Sequence, residues 1–190
     1  MTKVQNSLHS SLASSTPLTG QVAVVTGAAR GIGEAIALRL ARMGAAVLLT
    51  ARDQPRLEEV RVKIEEQGGK AFVMPCDLTD AKAVAGLGER VQKEHGRCDI
   101  LLNNAGIGVL RKPLIELPVD EWDKMMDTNL RGPYLMIRAL APLMIAANSV
   151  RSTIARRENV VAEAQLFADV LPLKIKCVQR GGASRSAGRK

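Results

Sequence analysis

At 190 residues the chain has the length of one domain with a core of its own, and its 46% apolar and 24% charged residues are those of an ordinary globular protein. An aromatic share of 2% makes that core aliphatic and leaves few rings for stacking nucleic-acid bases. The formal charge is +8, but residues 146–190, with nine basic and three acidic side chains, carry six of those charges, so the basicity marks a solvated tail rather than a nucleic-acid site.

Cys76, Cys98 and Cys177 are an odd number, far apart, in no CxxC or Cys/His ligand pattern. They predict reduced thiols, a cytoplasmic location and no metal site. Residues 1–19 are rich in Ser and Thr and lack acids, without the apolar stretch of a signal peptide, and are expected to be a disordered leader. No apolar run approaches membrane-spanning length.

In chain order, Gln21 to Thr26 reads as a strand apolar on both faces, hence central in a parallel sheet. Gly27 ends it. Ile32, Ile36, Leu40 and Met43 then recur at helical spacing, and Gly44 stops the helix. Ala45 to Ala51 gives a second strand, followed by a helix burying Leu57, Val60 and Ile64 and ending at Gly68-Gly69. Ala71 to Met74 is a third strand. Ala81 to His95 is a third helix with Val84, Leu87 and Val91 aligned and Gly86 and Gly88 weakening it. Asp99 to Asn103 is a fourth strand, and Pro113 and Pro118 mark the loop after it. A helical region capped near Asp120 follows, with Met126, Leu130, Ile137, Ala141 and Met144 on one predicted face and kinks at Pro133 and Pro142. Strands alternating with amphipathic helices predict an α/β fold, a Rossmann-type doubly wound parallel sheet over residues 20–145. Beyond that the pattern breaks. Arg156 to Leu171 could be helical and Leu173 to Val178 a short strand, but residues 146–190 read as a basic tail and the sheet as incomplete at its C-terminal side.

The run Thr26-Gly27-Ala28-Ala29-Arg30-Gly31-Ile32-Gly33 lies between strand and helix, where backbone N–H groups and a positive helix end receive a phosphate. Gly27 serves the tight turn, Gly31 the approach to a pyrophosphate and Gly33 the close packing of helix on sheet. Charge at the end of the second strand separates two cofactors: a carboxylate there binds the ribose hydroxyls of NAD, a cation the 2′-phosphate of NADP. Arg52 follows Ala51, and Arg30 sits in the glycine loop, so NADP is favoured, with NAD the alternative. Asp53 is expected to cap the next helix.

Thr-Gly-x3-Gly-Ile-Gly after the first strand, Cys76-Asp77-Leu78 after the third, Asn103-Asn104-Ala105-Gly106 after the fourth and Asn129 in Thr-Asn-Leu-Arg-Gly-Pro resemble the short-chain dehydrogenase/reductase family, near its 3-oxoacyl-carrier-protein reductase type. The resemblance covers about residues 20–145. It implies that Asp77, with Leu78 beside it, holds the adenine, and that Asn104, Ala105 and Gly106 line the cofactor ribose. It also implies that Asn129 is the catalytic asparagine ordering a water in the proton relay. The family's activity is hydride transfer between a nicotinamide and a small-molecule carbonyl or alcohol, using a serine and a Tyr-x3-Lys pair.

Neither of those is matched here. Tyr134, the single tyrosine, precedes Arg138 at the right spacing but falls five residues after Asn129, too early for the family's pair, and Ser149 and Ser152 lack the expected strand context. Two readings therefore stand together: an oxidoreductase by family, and a truncated or frame-shifted chain that binds nucleotide without catalysis. If no fifth strand covers the fourth, Asp99–Asn103 becomes an open edge and predicts self-association.

Overall fold

The structure, a computed structural model, describes residues 16–108, 113–149 and 151–154. Five parallel strands form one sheet in the order β3-β2-β1-β4-β5: β1 Val22–Thr26, β2 Ala46–Thr50, β3 Lys70–Val73, β4 Ile100–Asn103 and β5 Arg151–Ile154. Helices α1 (Gly31–Arg42) and α2 (Gln54–Glu66) cover one face; α3 (Ala81–His95) and α5 (Gly132–Ala146) cover the other. Between β4 and α5 lie a 3-10 turn at Leu114–Glu116, helix α4 (Val119–Met126) and a π-helical turn at Asp127–Arg131.

The aliphatic strands produce the two-sided core expected of them. Along β1, Ala23 and Val25 pack with Leu40, Leu57 and Ile64 beneath α1 and α2. Val22 and Val24 face the other way, toward Val84, Leu87, Met136 and Leu140 of α3 and α5. All five residues of β1 are buried, as a central parallel strand requires. The doubly wound parallel fold read from the sequence is the fold observed.

Four expectations are corrected. First, β4 is not an open edge: β5 pairs with it in register from Ile100↔Arg151 to Asn103↔Ile154, and the sheet continues past residue 145. Arg151-Ser152-Thr153-Ile154 has no apolar run, so its strand state comes from pairing with β4 rather than from local pattern. Second, the leader is ordered at its end, where Leu18 is buried under the sheet and donates its N–H to the Met43 carbonyl at 2.9 Å. Third, the buried face of α5 is Met136, Leu140, Leu143 and Met144, while Leu130 and Ile137 are exposed. The π turn carries an extra residue, which rotates everything after it by about 100° relative to one continuous helix. Helix α4 also begins after Pro118 without a side-chain cap, and Asp120 instead lies in its first turn. The helix and strand expected beyond residue 155 lie outside the described residues.

Asp99 anchors the other end of the sheet. Buried at 1% exposure, its carboxylate accepts from the Val22 N–H at 2.8 Å and from Arg97 at 2.8 and 2.6 Å. Next to it, burial pushes the Cys98 thiol up to about 12, and burial likewise pushes Cys76 up to about 11. Both thiols hold their protons more tightly in the folded chain than at the ordinary value near 8.5. Their contribution to stability is therefore complete below about pH 8.5 and is lost as pH rises toward the folded values. The urea midpoint is expected to fall between about pH 8.5 and 10.5 in the parent and to fall less steeply in Cys98→Ala; parallel profiles would contradict this.

Candidate functional site

The strand order reverses between β1 and β4, and in open α/β sheets the crevice beyond the C-terminal strand ends at such a point is where ligands lie. The loops after β1 and β4 meet there. Thr26, buried at the end of β1, donates its hydroxyl to the Leu102 carbonyl at 3.2 Å and accepts the N–H groups of Asn104 and Ala105, each at 2.9 Å. The Asn104 amide returns across the gap to the carbonyls of Thr26 at 3.0 Å and Gly27 at 3.3 Å. This lattice fixes the glycine loop against β4 before any ligand arrives.

The glycines are required by contact as well as by conformation. Gly27 has φ +67°, and a Cβ there would stand 2.9 Å from the Ala105 Cα. A Cβ on Gly33 would fall 2.2 Å from the Gly27 carbonyl oxygen and 2.5 Å from the Asn104 amide nitrogen. Gly31, at φ +59°, meets nothing within 4 Å, so its backbone is open to an incoming group. With Ile32 half-buried behind them, the N–H groups of Gly31, Ile32 and Gly33 form the first turn of α1 and have no acceptor within the helix. Arg30 is exposed at the N-cap of that helix in extended backbone and makes no capping bond.

At the end of β2, Arg52 is exposed, and Asp53 caps α2, accepting the Arg56 N–H at 3.2 Å with the Arg56 side chain at 3.3 Å. The acid nearest the strand end is thus engaged in a helix terminus, as expected. After β3, Asp77 accepts the N–H and hydroxyl of Thr79 at 2.9 and 2.8 Å. These bonds, with a smaller effect of Arg52, hold its carboxyl below the usual range, so it remains a charged acceptor. Leu78 turns its side chain into the core, where a Cβ on Gly132 would meet it at 3.2 Å. It can offer the crevice only backbone.

The side chain of Asn129, in the π turn, is already committed. It accepts the Ile107 N–H at 2.8 Å and donates to the Ile107 carbonyl at 2.7 Å, steadying the loop that carries Ala105 and Gly106. Arg131 reaches back to the Thr79 carbonyl at 3.1 Å and ties the turn to the β3 loop. Between them lies a cleft of about 340 Å³ lined by Arg52, Thr79, Ile107, Lys124, Asp127 and Thr128. Tyr134 is exposed on α5, and Arg138 lines a separate groove between α3 and α5; neither lines the cleft. Thr26 and Arg131 stand in motifs read from the sequence, but these roles were not expected of them, and Thr79 was not singled out although the Asp77-x-Thr79 spacing of an Asx turn was there to be noticed.

The sequence profile of the family described as short chain dehydrogenase matches residues 21–154. The chain belongs to the short-chain dehydrogenase/reductase family. It is 38% identical over 152 residues to a fatty acyl-CoA reductase of Acinetobacter baylyi, covering 78% of this chain and 51% of that protein. Among solved structures it resembles a metagenomic short-chain oxidoreductase in complex with NADP at 49% identity and a TM-score of 0.70, covering 72% of this chain and 62% of that one. An alcohol dehydrogenase from the archaeon Thermococcus sibiricus, complexed with 5-hydroxy-NADP, matches at 36% identity and a TM-score of 0.67, over 70% and 57% of the two chains. The chain spans about half the length of the curated relatives it matches. As a family member it carries an NAD(P)-binding fold, and among the described residues no helix is long and apolar enough to cross a membrane.

Proposed function

We propose that the chain binds NADP(H) across the switch point between β1 and β4. One observation carries the preference for NADP over NAD: Asp53 is consumed as the cap of α2, so the end of β2 presents the Arg52 cation and no free carboxylate to the ribose. In this reading the N–H groups of Gly31 to Gly33 receive the pyrophosphate and Arg30 and Arg52 the 2′-phosphate. Asp77 accepts from the adenine, and Asn104, Ala105 and Gly106 line the ribose. The open backbone at Gly31 leaves the room that a phosphate needs. The NADP complex of the metagenomic relative supports the same preference.

Bound there, the nicotinamide would supply or accept hydride for a small-molecule carbonyl or alcohol, the chemistry of the family. These 190 residues hold no Tyr-x3-Lys pair to relay the accompanying proton. Tyr134 stands outside the cleft and has Arg138, not lysine, four residues on. Asn129 contributes by positioning: its side-chain amide fixes Ile107. The reading is therefore of a nucleotide-binding domain that does not by itself complete reduction. Its two described thiols, both buried and unpaired, fit a reducing compartment such as the cytoplasm. Titration of the protein with NADPH and NADH, read by nicotinamide fluorescence, tests the cofactor assignment. Tighter NADPH binding supports it, and equal or reversed affinities overturn it.

A further inference from the structure

The cleft has two walls of different origin. Arg52, Thr79 and Ile107 come from the loops after β2, β3 and β4, whereas Lys124, Asp127 and Thr128 come from α4 and the π turn. Of the lining residues, Arg52 and Lys124 are the cations, one on each wall. Asp127 also lines the cleft, with the Arg131 guanidinium, itself held on the Thr79 carbonyl, at 3.8 Å.

We infer that Lys124 is a further nucleotide-binding residue, a third cation beside Arg30 and Arg52, which closes on the 2′-phosphate from the wall opposite Arg52. The inference rests on the NADP reading above and names a residue that reading does not require. Lys124 is free to serve. Its partner is Asp120, one turn back on α4 at 3.2 Å, and both side chains are 70% exposed. A surface pair of that kind contributes between nothing and about 1 kcal/mol. The ammonium, on a flexible four-carbon stem, can therefore leave Asp120 for a doubly charged phosphate at little cost. The pyrophosphate is not the target, because the first turn of α1, where its acceptors lie, is absent from the lining of this cleft. The end of β2, where the ribose 2′ substituent is read, does line it, through Arg52.

Two fragments isolate the contact: 2′,5′-ADP carries the extra phosphate and 5′-AMP does not. Calorimetric titration of the full chain with each is expected to show Lys124→Gln weakening 2′,5′-ADP by about 3–10-fold, the range of a solvent-facing charge-assisted contact, with 5′-AMP unchanged. Lys124→Arg is expected to retain the parent preference. An unchanged 2′,5′-ADP affinity in Lys124→Gln, or an equal loss for both fragments, overturns the inference while leaving the NADP reading intact. A parent protein that does not prefer 2′,5′-ADP to 5′-AMP overturns the NADP reading, and this inference with it.

Discussion

Alanine at Gly33 is expected to eliminate nucleotide binding and to lower stability by about 1–3 kcal/mol, the usual cost of forcing a methyl into a filled space. The new Cβ would lie 2.2 Å from the Gly27 carbonyl oxygen, which is backbone, and 2.5 Å from the Asn104 side-chain amide, which is held by two hydrogen bonds. The Asn104 amide holds the Thr26 and Gly27 carbonyls, and the Thr26 hydroxyl holds two N–H groups of the β4 loop. Displacing one member shifts both loops of the switch point together. Gly31→Ala is the matching control. It meets no atom within 4 Å, so its cost is confined to the positive φ, about 1–2 kcal/mol, and to the approach of ligand. Thermal unfolding and NADPH titration of the two variants check this: both should lose binding and some stability, with the Gly33→Ala stability loss, which comes from displaced backbone, equal to or larger than the backbone-conformation cost of Gly31→Ala. A Gly33→Ala protein with parent affinity would show that the loop tolerates displacement.

Aspartate at Arg52 is the second large effect. The substitution removes a cation from the end of β2 and introduces the carboxylate that suits ribose hydroxyls. NADPH affinity is expected to fall by about 10–100-fold, since hydrogen bonds to charged groups contribute about 1.5–3 kcal/mol, while NADH affinity is unchanged or improved. Arg52 is exposed, so folding should be preserved. The companion Asp53→Ala should leave cofactor preference alone and lower stability by about 1 kcal/mol through loss of the α2 cap. Equal losses of NADPH and NADH in Arg52→Asp would mean that the guanidinium acts on the adenosine generally rather than on the 2′-phosphate.

Most of the fold was legible because three buried apolar strands, a half-exposed fourth at the sheet edge and three amphipathic helices announce themselves by pattern, from Val22 to Asn103. What escaped did so for identifiable reasons. Leu18 is an isolated apolar residue in a Ser/Thr stretch, and nothing local says that it packs under the sheet. Strand β5 contains Arg, Ser and Thr and owes its conformation to pairing with β4, a neighbour about fifty residues earlier in the chain. The face of α5 was misread because a 3.6-residue period was carried through Asp127–Arg131, where the chain makes a π turn. In the site, the glycines, Asp77 and Asn104 were legible as motifs because backbone geometry restricts what can stand there. The roles of Thr26, Arg131 and Lys124 were not, since each acts on groups brought near only by the fold, whereas Thr79 was legible from its spacing to Asp77 and went unread.

The family's chemistry separates into holding a dinucleotide and moving a proton, and the described residues bear on the first. The glycine loop, the Thr26–Asn104 lattice and the cation at Arg52 are in place, whereas Tyr134 is on the outer surface of α5. The measurement that tests this division most directly is a single preparation titrated with NADPH and NADH and then assayed for ketone reduction by loss of NADPH absorbance. The expected result is saturable binding, tighter for NADPH, with no turnover above the rate without protein and no change in Tyr134→Phe. Turnover that Tyr134→Phe abolishes would contradict the account.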